Sequence, residues 1–294
     1  MTTAAADRYL ARMRRVLAHI DAHPESDLGL DALCDVAAFS KFHFHRQFTA
    51  TFGVPVRRHV QLVRLERAVH RLAYRTNETV TDIAFGAGYD APDAFARAFR
   101  RHFGQTPSAF RRCPDRAAWQ TALEPLANLR KKSMTAYSPM DVEIVSHPTV
   151  RVAVLEHHGN PADLHETIRR FIEWRKATGL GPQKSATYNV FHSDPQSTPA
   201  DAFRLDICAA SDRPIAANGS GVREGAIPGG RCARLRVVGC SDLEEPATWL
   251  YREWLPASGE ELRDFPIFCE RKTLFPDVSE GETITDLFLP LREK

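Results

Sequence analysis

Two rhythms of apolar and polar residues divide the chain. Through residue 112, apolar residues recur every third or fourth position, the period of a helix with one buried face. From Asp141 onward they alternate or run β-branched, the texture of strands. In the first part, Leu30, Leu33 and Val36 mark a helix within Leu28–Phe39, and Ser40 is placed to cap the next one. Phe44, Phe48 and Phe52 form one stripe of that next helix, with His45, Arg46 and Thr49 on the opposite arc. Val56–Tyr74 reads as a long connecting helix. Val80–Tyr89 repeats the short helix, and Gly86 and Gly88 mark its end. Pro92 suits the first turn of a further helix, in which Phe95, Phe99 and Phe103 form the stripe.

The two striped helices share more than a period. Residues 44–53 and 95–104 both follow the frame Phe-x-Arg-x-Phe-x-x-x-Phe-Gly, and Pro55 and Pro107 follow the two copies. A frame recurring at this interval signals a duplicated supersecondary element. A single such helix is most simply a core helix with solvated arginines. Two of them, each behind a short helix and a tight turn, predict a double helix-turn-helix.

Residues 8–112 resemble the DNA-binding domain of the AraC/XylS family. The resemblance rests on Leu33, Ala37, Ser40, Phe44, Arg46, Phe48, Gly53, Arg64, Ala68, Ile83, Ala84, Gly88, Tyr89, Phe95, Arg97, Phe99, Phe103, Gly104, Pro107 and Arg111. It implies base-reading positions at Phe42, His45 and Arg46 on the first recognition helix, and at Pro92, Asp93 and Arg97 on the second. The expected DNA-facing set is Ser40, Lys41, Phe42, His45, Arg46 and Thr49, then Asp93, Arg97, Arg100 and Arg101. Arginine carries the strongest physical case, because it donates two parallel hydrogen bonds to guanine. The second helix offers less for base reading: Pro92 and Ala96 have no side-chain donor, and Asp93 repels phosphate. Arg100 and Arg101 suit a backbone clamp.

Charge supports this division. Residues 7–116 hold 18 Lys and Arg against 12 Asp and Glu, whereas 141–294 hold 18 against 24. The net +2 hides a basic module attached to an acidic one. Cys34, Cys113, Cys208, Cys232, Cys240 and Cys269 include no Cys-x-x-Cys pair and no zinc-type cluster. His157 and His158 adjoin, but strand neighbours point to opposite faces. No metal or cofactor is expected. Without a signal-like start or an apolar run of roughly 20 residues, the expected setting is a reducing cytoplasm, with no membrane partner.

The predicted domains are 1–112, a linker at 113–140 with helical character around Ala117–Leu129, and 141–294. In the last, strands are expected at Val142–Val145, Val150–His157, Ala186–His192, Phe203–Ala209, Arg231–Val238, Phe265–Arg271 and Ile284–Pro290. Helices are expected at Leu164–Ala177 and Leu243–Trp254. This reads as β-α-β-β twice. The predicted fold class is therefore multidomain: an all-α double helix-turn-helix followed by an α+β domain with duplicated units.

Residues 141–292 resemble the GyrI-like effector-binding domain. The matching stretches are Arg151-Val-Ala-Val, His158-Gly159, the Asp194-Pro195 to Pro199 loop, Arg204-Leu-Asp206-Ile, Ile227-Pro-Gly-Gly230, Trp254-Leu-Pro-Ala-Ser-Gly259 and Thr285-Asp-Leu-Phe-Leu-Pro290. The resemblance implies a groove for small molecules, often apolar or cationic, with an acid on the strand after the Trp254 motif. The family spacing puts that acid at Cys269, and Glu270 lies one residue later. Either a bulge returns Glu270 to the groove or the groove presents Cys269; the second is preferred, with a neutral, mainly apolar effector. The expected ligand set is Tyr188, Phe191, Trp254, Phe268, Cys269 and Glu270. Among the catalytic motifs, Gly-x-Ser-x-Gly, a phosphate loop and His-Glu-x-x-His are all missing from the sequence. The leading expectation is a promoter-binding transcription regulator that senses a small molecule and has RNA polymerase as a possible partner. The alternatives are a small-molecule hydrolase of the GyrI-like type and a gyrase-inhibitor-like interaction module.

Overall fold

Six phenylalanines at helical spacing build the first core. Phe44, Phe48, Phe52, Phe95, Phe99 and Phe103 are all buried, in α3 (Lys41–Phe52) and α6 (Pro92–Phe103). The computed structural model describes residues 3–133, 137–194 and 197–293; the side chains of 3–7, 41–42 and 131–133 lie outside that description. The chain divides into two compact units, Met1–Thr135 with Phe275–Glu282, and Ala136–Leu274 with Thr283–Lys294.

In the first unit α1 (Thr3–Ala22) precedes the helix-turn-helix of α2 (Leu30–Ala37) and α3. Then α4 (Val56–Tyr74) leads to the second helix-turn-helix, α5 (Val80–Gly86) and α6. It ends with α7 (Pro107–Arg112) and α8 (Arg116–Ser133). Both turns close in one way. Ala38 N–H donates to the Asp35 carbonyl and Phe39 N–H to that of Cys34; Gly88 N–H donates to Phe85 and Tyr89 N–H to Ala84. Ala38 and Gly88 both adopt the left-handed conformation. Ser40 occupies the cap position of α3, but its hydroxyl makes no cap bond, contrary to expectation.

The expected linker 113–140 does not begin at 113. Trp119, Leu123, Leu126 and Leu129 recur at helical spacing on α8 and are buried in the first unit's core. Arg130 then forms ion pairs with Asp21 on α1, 3.0 Å, and Glu66 on α4, 2.7 Å. Helix α8 is thus part of the first unit.

The second unit holds β1 (Val142–His147), β2 (Val150–His158), α9 (Leu164–Thr178), β3 (Thr187–Phe191) and β4 (Arg204–Ala210). A second copy follows: β5 (Arg223–Ile227), β6 (Gly230–Val238), α10 (Glu244–Trp249), α11 (Leu255–Ser258), β7 (Phe268–Arg271) and β8 (Ile284–Pro290). The repeated unit is β-β-α-β-β. The sequence reading lacked β5, because Arg223-Glu-Gly-Ala-Ile shows little apolar alternation. Val150 and Gly230, Leu164 and Glu244, and Arg204 and Ile284 start equivalent elements, each pair 80 residues apart. Gly179 and Gly259 end the two helices in the same left-handed conformation. The helices differ inside: a π-helical turn, Leu250–Trp254, joins α10 to α11 where α9 is regular.

Strand order is β1-β6-β8-β7-β3-β4-β2-β5, antiparallel throughout. The leading strand of each copy pairs with the other copy, β1 with β6 and β5 with β2. At the central seam, Tyr188 lies opposite Glu270 and Val190 opposite Phe268. Tyr188 is the counterpart of Phe268, and Val190 of Glu270, so the seam follows a local two-fold.

Candidate DNA interface and effector face

The first unit presents its arginines at matching positions. Arg46 is the sixth residue of α3 and Arg97 the sixth of α6, and both are exposed. Among the described residues neither has a carboxylate partner. His45, Asp93, Arg100, Arg101 and Ser40 are exposed too. Thr49 is half-buried, and its hydroxyl donates to the His45 carbonyl, 2.9 Å, which spends its proton within the helix. Lys41 and Phe42 open α3, with side chains outside the described set. Asp93 sits in the first turn of α6, where a carboxylate is favoured by the helix dipole.

Helix α4 lies between the two helix-turn-helix units in the chain, and its side chains reach the segments around both. Arg64 Nε donates to the Pro24 carbonyl, 2.7 Å, one terminal nitrogen to Ser26, 3.0 Å, and the other to Gly88, 3.5 Å. Arg58 meets the ring of His102 on α6. A cleft of about 670 Å³ is lined by Leu30, Val60 and Tyr89 together with His45, Arg57 and Gln61. Arg57 and Gln61 were absent from the sequence-predicted set; only the fold sets them beside His45.

In the second unit, strand parity decides which side chains can meet. Odd-numbered core residues of β2–β4 and β6–β8 pack beneath the helices: Leu155, Phe191, Ile207, Leu235, Cys269 and Leu287. Even-numbered ones form a separate cluster without helix residues: Val154, Tyr188, Val190, Cys208, Phe268 and Phe288. The predicted ligand set therefore splits. Tyr188, Phe268 and Glu270 share the helix-free face. Phe191, Cys269 and Trp254 belong to the helix-covered side, with Trp254 and Cys269 in one buried cluster. No single site takes all six.

Of the expected groove aromatics, Phe191 and Trp254 share a side with Cys269, and Tyr188 and Phe268 share one with Glu270. Strand β7 pairs regularly with β3 and β8, without a bulge, and puts Glu270 on the side of Phe268. Burial pushes the Cys269 thiol up, and its sulfur lies 3.8 Å from Asn189 Oδ1.

Around Glu270 the helix-free face carries paired charges. Lys272 Nζ lies 2.6 Å from Glu270 Oε1. Asp286, opposite Glu270 on β8, accepts two bonds from Arg236, 2.7 and 2.8 Å. Asp206, the counterpart of Asp286, is bonded to His192 Nε2, 2.8 Å, and Arg204, 3.2 Å. Burial pushes its carboxyl up, but those bonds outweigh burial and the net direction is down. Burial and the Glu270 charge push Tyr188 up to about 12. Asp206, Asp286 and Lys272 were missed in the sequence; the 80-residue recurrence of the aspartates was the available signal.

Comparison with known proteins agrees with this division. Residues 140–292 match the family described as GyrI-like small molecule binding domain, and residues 33–113 match a helix-turn-helix domain family. The chain belongs to the GyrI-like family, and a helix-turn-helix domain precedes the GyrI-like domain. It is 42% identical over 154 residues to the probable transcriptional regulator YgiV of Escherichia coli K12, covering 52% of this chain and 96% of that protein. The uncharacterized HTH-type transcriptional regulator YbfP of Bacillus subtilis is 31% identical over 103 residues, 35% of each chain. An AraC-type transcriptional regulator structure from Chromobacterium violaceum aligns with 38% of this chain and 99% of its own, at 23% identity and a TM-score of 0.33. Among the described residues, no helix is long and apolar enough to cross a membrane.

Proposed function

We propose that this chain is a transcription regulator that reads double-stranded promoter DNA with α3 and α6 and senses a small molecule on the helix-free face of its second unit. The observation that carries the reading is the pair Arg46 and Arg97, exposed at one position of two like helices on a shared support, α4. Arg46, with His45, reads base edges. Arg97, Arg100 and Arg101 grip phosphate more than bases. Arg57 and Gln61 extend the phosphate-facing surface between the readers. One chain then covers two successive major-groove segments, centred about 34 Å apart.

The effector is an apolar body with a positive centre. Glu270 supplies the negative charge, and Tyr188 beside it supplies an aromatic neighbour. This replaces the neutral effector expected when Cys269 was given the acid's place. Selection of random duplexes by the full chain tests the DNA reading; recovery of no preferred sequence at low salt counts against it. The hydrolase alternative gains from Tyr188 and Glu270 sharing a face. Product formation lost in Glu270→Gln supports it, whereas binding without turnover supports a sensor that is not an enzyme.

A further inference from the structure

The two copies of the repeat allow an internal comparison at Glu270. In the first copy its place is taken by Val190, and that of Lys272 by His192. There His192 reaches across to Asp206, 2.8 Å. In the second copy the matching aspartate, Asp286, is already held twice by Arg236, and Lys272 turns to Glu270 at 2.6 Å. The Lys272 side chain is 40% exposed and that of Glu270 15%. The acid offered to an effector therefore already has a cation of its own.

We propose that Lys272 is a built-in competitor for Glu270, which an effector cation must displace, and that it sets which cations the face accepts. The inference rests on the reading of Glu270 as the effector's anchor. A lysine ammonium is compact and strongly hydrated, and a partly exposed pair of this kind contributes little to stability. Displacement is therefore affordable only for a ligand with a gain that lysine lacks. A lipophilic cation has one, because its body packs against apolar side chains and its charge lies near the ring of Tyr188. A small hydrated cation or a polyamine exchanges one hydrated ammonium for another and gains nothing.

The test measures calorimetric binding of tetraphenylphosphonium and neutral triphenylphosphine oxide to the full chain and to Lys272→Gln, Glu270→Gln and the double variant, with thermal melts confirming the fold. Lys272→Gln is expected to bind the cation about fivefold more tightly and the neutral compound unchanged. Glu270→Gln should weaken the cation alone, and in the double variant the Lys272 substitution should have no further effect. If Glu270→Gln weakens the cation but Lys272→Gln leaves it unchanged or weaker, the competitor is overturned and the anchor stands. If no variant binds the cation, or Glu270→Gln is indifferent, the anchor fails and the competitor with it.

Discussion

Ala38 and Gly88 hold the same left-handed place in two copies of one turn, at φ 52° and 71°, and only the second is glycine. An L-residue there clashes with its own carbonyl, at a cost of roughly 1–2 kcal/mol. Ala38→Gly is therefore expected to stabilise the chain by about 0.5–1 kcal/mol after the added unfolded-state entropy, read as a higher urea midpoint. Gly88→Ala should do the reverse and more, because a Cβ there would lie 2.7 Å from the Arg64 guanidinium. Equal effects of opposite sign would leave Arg64 without a role in the second turn.

Arg46→Ala should relax sequence preference more than Arg97→Ala. The two arginines share a helix position, but Arg46 adjoins His45, and Arg97 adjoins Ala96. A lost bidentate contact costs about 1–3 kcal/mol at one base pair, whereas a lost phosphate contact weakens all sequences alike and lowers the salt slope by about 1. Selection from random duplexes and salt titration separate the two; a larger loss of preference in Arg97→Ala reverses the assignment.

Arg64→Met should lower stability by about 2 kcal/mol, since three carbonyls lose a charged donor. The consequence for DNA is specific. Footprints should keep protection by one reader and lose the fixed two-turn spacing. Normal spacing in a folded variant would show that α4 positions the readers without this arginine.

His59 makes the first unit acid-sensitive. It is 1% exposed, and among the described residues neither ring nitrogen has a hydrogen-bond partner. Burial, then the charge of Arg130, lower its pKa to about 3. The unfolded chain takes up this proton below about 6.5 and the folded chain only near 3. The unfolded state therefore binds more protons between those values, and stability falls as pH falls. Between pH 7 and 5 the loss is about 2 kcal/mol. His59→Leu should remove this share of the slope at little cost at pH 7 and leave that of His70, which burial and the charges of Arg116 and Arg130 also lower to about 3; an unchanged pH profile of the urea midpoint would place the sensitivity elsewhere.

Local patterns were legible where one face of an element is buried. Both recognition helices, α4 and the outward arginines follow from a 3.6-residue period and a recurring frame. The edge strand β5 was not, because Arg223-Glu-Gly-Ala-Ile carries no clear alternation and finds its place through pairing with β2. Helix α8 looked like part of a linker because its last turn is charged. Its place was set by Trp119, Leu123, Leu126 and Leu129 entering a core built from distant segments, and by Arg130 meeting Asp21 and Glu66.

The helix-free face of the second unit shows the same division most sharply. The sequence alone determined that aromatics and one acid gather near β7, since these are properties of residue type and order. It left open which neighbours share a side, because family spacing could not distinguish a shift of one residue, and such a shift reverses the face. Strand pairing decided that. With Tyr188 opposite Glu270 and Phe268 opposite Val190, Glu270 stands beside the aromatics, and Cys269 and Trp254 lie beneath the helices. A side chain's own chemistry is carried by its residue, but the group it faces is set by hydrogen-bond register between segments far apart in the chain.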